Sequence, residues 1–355
     1  MEFKGIDLGD KRLNRRAILL AEQLSGNPTA SIPLACGGWA ETAAAYRFFA
    51  QDKLEWTDVM EPHWQSSTER MRACEVVLCL DDTTELNFNG QEIAGLGPLS
   101  YEAQRGMYVH ATYAVTPQRE PLGVLNAWMW SRERKDAQGK RGGIKESTRW
   151  IEGYERVAEQ AVDLPGTRLV YVADRESDIV ELMAKARDLG YPADWLIRAQ
   201  HNRVLPEGQR LWDHAMQAEP LGEIRFTLHG RQRQKAREVQ QQIWSRRIDV
   251  PDGQGGVVSI NCLVAREIDA PAGVTPIEWR FADQSRRAGY DRGRAADRLV
   301  PRPLGGGNLL SCAEERLPSR GATTEHDRAH RAGAGGVHGG SVAHCSSHAL
   351  RSNLP

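Results

Sequence analysis

The stretch CEVVLCLDDTTELNF, residues 74–88, decides the fold class. Apolar or cysteine positions at 74 and 76–80 run directly into Asp81, Asp82, Thr83 and Thr84. A short run rich in Val and Leu reads as a buried strand. Two segments downstream alternate as strands do, MYVHATYAVT (107–116) and PLGVLNAWMWS (121–131), with PQRE as the turn between them. The three runs predict an antiparallel meander. A helix follows, with Ser147 as the expected N-cap and Trp150, Tyr154, Val157 and Ala161 at helical spacing. TRLVYVADRESD (167–178) reads as a second buried strand ending in acids. IVELMAKARDLG (179–190) reads as an amphipathic helix closed by Gly190, and DWLIRAQHN (194–202) as a further strand. From Gly222 to Ala270, strand-like runs enclose a basic stretch, Arg231, Arg233, Lys235 and Arg237. The order of three strands, helix, strand, helix, strand predicts an α/β protein with a mixed sheet, not a doubly wound parallel one.

Upstream, residues 8–25 read as a helix with a basic start and 41–60 as one or two more. Ser25, Gly26, Pro28, Pro33, Gly37 and Gly38 punctuate them. Residues 1–70 therefore read as a small helical unit carrying Lys11, Arg12, Arg15, Arg16 and Arg47. Such a charge run suits either a solvated helix face or a nucleic-acid contact.

Downstream the character changes. Residues 281–355 contain 11 Gly, 11 Arg and 11 Ala but no Lys, Ile, Met or Trp, and Leu, Ile, Val and Phe supply 11 of the 75. So little apolar surface does not offset the entropy of ordering a chain, and the segment reads as a disordered tail.

The whole chain has 355 residues and a net charge of −1, which excludes a uniformly basic nucleic-acid coat but not local basic patches. No apolar run approaches the ~18 residues of a membrane span, and no secretory signal is visible at the N-terminus. Six cysteines lack metal-ligand spacing, so a reduced, cytoplasmic protein is expected. Cys74 and Cys79 form at most half a metal site, with no second pair.

Both buried-type strands end on carboxylates, Asp82 in DDTT and Asp174 in ADRESD. That places them at the carboxyl edge of a sheet, where sites gather in open α/β sheets. Two aspartates on neighbouring strands can hold hard divalent cations, and a pair of such ions serves phosphoryl transfer. Equally, each could cap the following loop or pair with Arg175. Asp81, Glu85, Glu176 and Asp178 are further candidate acids close by in the chain.

GDKRLNRR, AAAYRFF, LDDTT, RGMYVHA, KESTRW, ADRESDI and TPIEW occur in this order and rough spacing. In these motifs the chain resembles the bacterial cut-and-paste DNA transposases of the Tn-five-like group, in the insertion-sequence-four family, over about residues 5–280. The resemblance implies a ribonuclease-H-like core (residues 71–280, with a β insertion at about 222–270) preceded by a transposon-end DNA-binding domain (1–70). It implies three catalytic acids holding two Mg²⁺ or Mn²⁺ ions, of which Asp82 and Asp174 match the first two. The family nicks the transposon end with water, forms a hairpin, reopens it and transfers the strand. Arg12, Arg15, Arg16 and Tyr46 become candidate contacts to double-stranded DNA. Arg231, Arg233, Lys235 and Arg237 become a phosphate-contacting hairpin. Trp279 matches an aromatic that packs on an extruded base, unless it is an ordinary core tryptophan.

The family's third acid sits in Tyr-x-x-Arg-x-x-x-Glu, and no such pattern follows Trp279. A one-base frame change accounts for this. A permitted back-translation of residues 299–308, read from its second base, gives Trp-Tyr-Arg-Ala-Arg-Trp-Glu-Val-Glu, and the same shift at 281–284 permits Leu-Leu-Thr-Asn. The tail 281–355 then reads as out of frame. The expectations are lost cleavage, doubtful homodimerisation and poor solubility. The alternative is a non-catalytic DNA-binding remnant that occupies transposon ends. A nuclease that completes its site with Glu85, Glu176 or Asp178 is a further rival.

Overall fold

The computed structural model describes residues 2–228, 230 and 236–284. Four helices come first: α1 (Lys11–Gly26), α2 (Ile32–Cys36), α3 (Trp39–Phe49) and α4 (Trp56–Arg72). Asp10 caps α1, its carboxylate accepting from the Arg12 backbone N–H at 2.7 Å. Ile6, Ala17, Leu20, Cys36, Ala45 and Phe48 form a small core of their own under α1–α3. The expected boundary at residue 70 falls inside α4, whose Met71 is buried in the main core. The Arg70 guanidinium donates to Glu2 at 2.8 Å, tying the N-terminus to this helix.

The rest forms a ten-stranded mixed sheet. Its strands are β1 (Val76–Asn87), β2 (Gly97–Pro98), β3 (Arg105–Val115), β4 (Pro121–Trp130), β5 (Arg168–Ala173), β6 (Asp194–Arg198), β7 (Gly222–Leu228), β8 (Arg237–Pro251), β9 (Val257–Ile268) and β10 (Glu278–Asp283). Across the sheet the order is β4, β3, β1, β5, β6, β10, β9, β8, β7, with β2 a short partner of β3. The meander is present, with β3 pairing antiparallel to both β1 and β4. β1, β5 and β6 run parallel, joined by crossovers through α5 (Ser147–Asp163) and α6 (Val180–Asp188). Between β6 and β7 lies α7 (Leu211–Ala215), and β7–β9 form the antiparallel insertion.

Three expectations are corrected here. Glu146, not Ser147, is the N-cap of α5; its backbone is already in helical conformation, and its carboxylate makes no cap bond but accepts from Arg132. β1 does not end at the acids but continues to Asn87, so only β5 stops there. The division at 280 falls inside β10, where Phe281, Ala282 and Asp283 pair with both β6 and β9. Phe281 and Ala282 are buried, because an apolar pair completes the sheet interior whatever reading frame encodes it. The remaining tail positions, 285–355, lie outside the described residues.

The period-two alternation of strands sorts β1 and β5 onto two faces. Val77, Cys79, Leu169, Tyr171 and Ala173 join the main core with Trp150, Tyr154 and Val157 of α5 and Leu182 and Met183 of α6. Leu78, Leu80, Val170, Val172, Leu196 and Phe281 cluster on the other face.

Candidate functional site

Asp81 pairs with Ala173 at the last paired position of β1 with β5, so Asp82, still within β1, and Asp174, the first residue after β5, follow that position at the same end of the two parallel strands. Both follow the face of Leu78, Leu80, Val170 and Val172, and both are half-buried. Both acids thus follow apolar runs of the same sheet face. Asp174 also accepts from the Glu176 N–H at 2.8 Å, capping the short 3-10 turn Arg175–Ser177. Asp82 accepts from the Thr83 N–H at 2.8 Å.

Asp81, one residue away, points the opposite way and is fully buried. Its Oδ1 accepts from Thr112 Oγ1 at 2.6 Å, and its Oδ2 from Tyr171 Oη at 2.8 Å. His110 Nε2 lies 2.8 Å from Oδ2, and its Nδ1 lies 2.7 Å from Thr83 Oγ1. A carboxylate oxygen only accepts, so Nε2 donates to Asp81, while Nδ1 meets the Thr83 hydroxyl, which can donate or accept. Gly153 of α5 sits directly on this carboxylate. Burial, then the Asp81 charge, push the Tyr171 phenol well above its ordinary range. Asp81 is therefore bonded into the layer beneath the site and is not a free ligand.

Two of the neighbouring acids hold internal partners. Asp178 is buried, accepting from the Gln200 and His201 N–H groups at 2.7 and 2.8 Å and facing Arg203 at 2.7 Å; it clamps the loop after β6. Burial works to raise the Glu85 carboxyl, but the Ser100 N–H (2.8 Å) and Tyr108 hydroxyl (3.0 Å) outweigh it and hold it below the ordinary value. The Glu176 carboxyl is raised, first by burial and then by the charge of Asp174. No three His, Cys, Asp or Glu side chains converge as a metal-holding group among the described residues. Cys79 is buried and its thiol is pushed up, first by burial and then by the charge of Asp81, so it is no metal ligand in waiting.

Two arginines that the motifs did not single out stand near the acids. Arg198 ends β6, the third parallel strand, and its pKa is lowered by burial and by the charge of Arg175. Its place after the run DWLI is the signal that could have found it, since Asp82 and Asp174 also follow such runs. Arg132 lies over the Tyr108 ring at 4.1 Å and grips Glu146; nothing in its local sequence marks it.

The basic residues fall into three situations. Arg12 and Arg15 are exposed on α1, and Tyr46 is exposed on α3. Arg16 is paired with Glu41 of α3. Arg237 is not presented to solvent as a phosphate-contacting residue would be: it makes a two-pronged pair with Glu267, one arm at 2.9 Å, and this pair holds the Glu267 carboxyl below its ordinary value. Arg231, Arg233 and Lys235 lie outside the described residues. Trp279 is half-buried on β10 and stacks on Phe226, centroids 5.1 Å apart at 13°. The structure thus gives it an aromatic partner within the chain.

Residues 1–54 match the family model described as transposase DNA-binding. Among solved structures, the chain is similar to one titled as the cryo-EM structure of piggyBac transposase synaptic complex with hairpin DNA. The TM-score is 0.39 at 7% identity, over 86% of this chain and 58% of that one. The chain therefore spans less than two thirds of that protein's length. No helix among the described residues is long and apolar enough to cross a membrane.

Proposed function

We propose that this chain is a DNA transposase of the Tn-five-like group, in the insertion-sequence-four family, whose cleavage chemistry has been lost through a frame change near Arg280. The observation that carries the reading is the match of residues 1–54 to a transposase DNA-binding family, followed in the chain by two parallel strands, paired as far as Asp81 and Ala173, after which come Asp82 and Asp174. The strand order β4, β3, β1, β5, β6, with β3 and β4 antiparallel, supports a ribonuclease-H-like core.

In the intact family, divalent ions stabilise attacking and leaving oxygens at phosphorus. Here Asp82 and Asp174 would supply two hard oxygen donors, and no group of three His, Cys, Asp or Glu that could hold a metal forms among the described residues. The donor set fits Mg²⁺ or Mn²⁺ only in part, so no cleavage step is assigned to it. Asp81, Glu85 and Asp178 are committed to internal partners and do not complete the set. The activity that remains is double-stranded DNA binding by the helical N-terminus, which would occupy transposon ends without cutting them.

The test is to delete one base near the Arg280 codon and assay both proteins with Mg²⁺ or Mn²⁺ on DNA carrying the element's own ends. Nicking and hairpin formation by the repaired protein alone is the expected result. Cleavage by the original chain would show that its acid set is complete, against this reading.

A further inference from the structure

The main core takes residues from α4, α5, α6 and α7 as well as from strands. The cluster on the opposite sheet face is built on Leu78, Leu80, Val170, Val172, Leu196 and Phe281, and among the described residues every member of it lies on a strand. Leu263 and Trp279 connect it to a second strand-only cluster around Ile243 and Ala265. β1, β5 and β6 are parallel, and parallel strands are covered on both faces. The six side chains are only 4–9% exposed within the single chain. Strand neighbours shield the flanks of a side chain on a sheet but not its tip, so this burial requires a further layer.

The chain itself supplies the occupant. Phe281 of β10 belongs to this face, and the chain leaves β10 through Gln284, which is buried. Beyond it, NLLSCAEERL (308–317) contains neither Gly nor Pro, and Leu309, Leu310, Ala313 and Leu317 recur in it at helical spacing. Ser311 and Glu315 fall on the opposite side of such a helix. Asn308 has the chemistry of an N-cap, and Pro318 that of a stop. Residues 285–307 reach up to about 80 Å when extended, against about 40 Å across the sheet. A tethered segment also meets the face at millimolar effective concentration, which a second copy does not. We propose that residues 309–317 form a helix that lies on the strand face of β1, β5, β6 and β10 through Leu309, Leu310, Ala313 and Leu317. A helix this short is marginal by itself, so its order depends on the docking. The proposal stands apart from the transposase reading, since it rests on burial, chain length and apolar spacing.

The test is limited trypsin digestion of the full chain, read by mass spectrometry. The bond after Arg316 lies inside the docked segment, and the bonds after Arg328 and Arg331 lie beyond it. The expected result is cutting after Arg316 at least about tenfold slower than after Arg328 and Arg331. Cleavage at a site that opens and closes quickly follows the open population, and losing the burial of one leucine raises that population about tenfold or more. Leu309→Asp and Leu310→Asp should each speed cutting after Arg316 by that factor and increase binding of anilinonaphthalene sulfonate. Aspartate in a first turn favours a helix, so the effect reports lost docking and not lost helix propensity. Ser311→Asp, on the opposite side, should cut as the wild type does. Equal cutting after Arg316, Arg328 and Arg331 in the wild type overturns the proposal, and so does protection that survives both leucine variants. Protection that appears only at concentrations where sedimentation shows a dimer assigns the face to a second copy and also overturns it. A wild-type chain that binds the dye as strongly as Leu310→Asp has a bare face, against the proposal.

Discussion

Gly153→Ala is the most discriminating single change in this fold. On an ordinary helix it would stabilise, since Ala is favoured over Gly by about 1 kcal/mol in a helix interior. Here an added Cβ would lie 2.9 Å from Asp81 Cγ and 3.2 Å from Oδ1, and closer still to Oδ2. Comfortable carbon contacts are about 3.5–4.0 Å, so α5 or the carboxylate must move by several tenths of an ångström. The carboxylate is held by Thr112 at 2.6 Å and by Tyr171 and His110 at 2.8 Å. Overpacking of this kind costs about 1–3 kcal/mol, and each buried hydrogen bond that loosens adds about 1–3 kcal/mol. Set against the helix gain, the net with one loosened bond is a destabilisation of about 1–5 kcal/mol. For a body of this size that lowers the melting temperature by about 2–20 °C. Thermal melts followed by circular dichroism at one protein concentration check it. An unchanged or raised midpoint would refute the seating of α5 on Asp81, and with it the assignment of Asp81 to the layer beneath the site.

Asp81→Ala, which leaves three buried donors without their acceptor, should cost about 3–5 kcal/mol, whereas Asp82→Ala on the next residue should change stability by less than about 0.5 kcal/mol; urea unfolding of the two variants measures the contrast. Asp178→Ala strands Arg203 and the Gln200 and His201 N–H groups and should cost about 3–5 kcal/mol, seen as faster amide exchange in the loop after β6. Glu2 is held below its ordinary value chiefly by its hydrogen bond from Arg70, and Glu267 by that from Arg237. Their contribution to stability is therefore complete above the unfolded carboxylate pKa of about 4.3 and is lost as pH falls through the lower folded values. Urea midpoints measured from neutral pH downward should drop in that acid window, and Glu267→Gln should flatten the drop. Glu176, raised by burial and by Asp174, works the other way, losing stability as pH rises through its folded value, so Glu176→Gln should make the acid drop steeper.

Much of the sheet is legible in the chain because burial imposes its period directly. VVLCL and LVYVA are buried on both faces and read as continuous apolar runs, and β3 alternates buried and half-buried along most of its length. Helix starts are less legible. Ser147 has the right chemistry for a cap, but Glu146 is held by an arginine 14 residues away, a contact that local spacing does not encode. The extent of β1 past the acids is likewise set by its long antiparallel pairing with β3, not by its own composition. Arg237 looks like any other member of a basic run until the hairpin brings Glu267 against it.

The two acids show where sequence stops and tertiary structure begins. Composition and order alone determine that Asp82 and Asp174 follow short apolar runs, that the first helices carry the basic residues, and that no Tyr-x-x-Arg-x-x-x-Glu follows Trp279. Those are local or linear properties, so the chain states them outright. Only the folded sheet decides between Asp81 and Asp82. The two differ by one position in a period of two, and the seating of α5 on one face makes the first a buried, triply bonded anchor. The parallel register of β1 with β5, which pairs Asp81 with Ala173, then brings the segments that carry Asp82 and Asp174 to the same end of the two strands across about 90 residues of chain. Which face is covered is a property of packing between distant elements, and no stretch of sequence carries it alone.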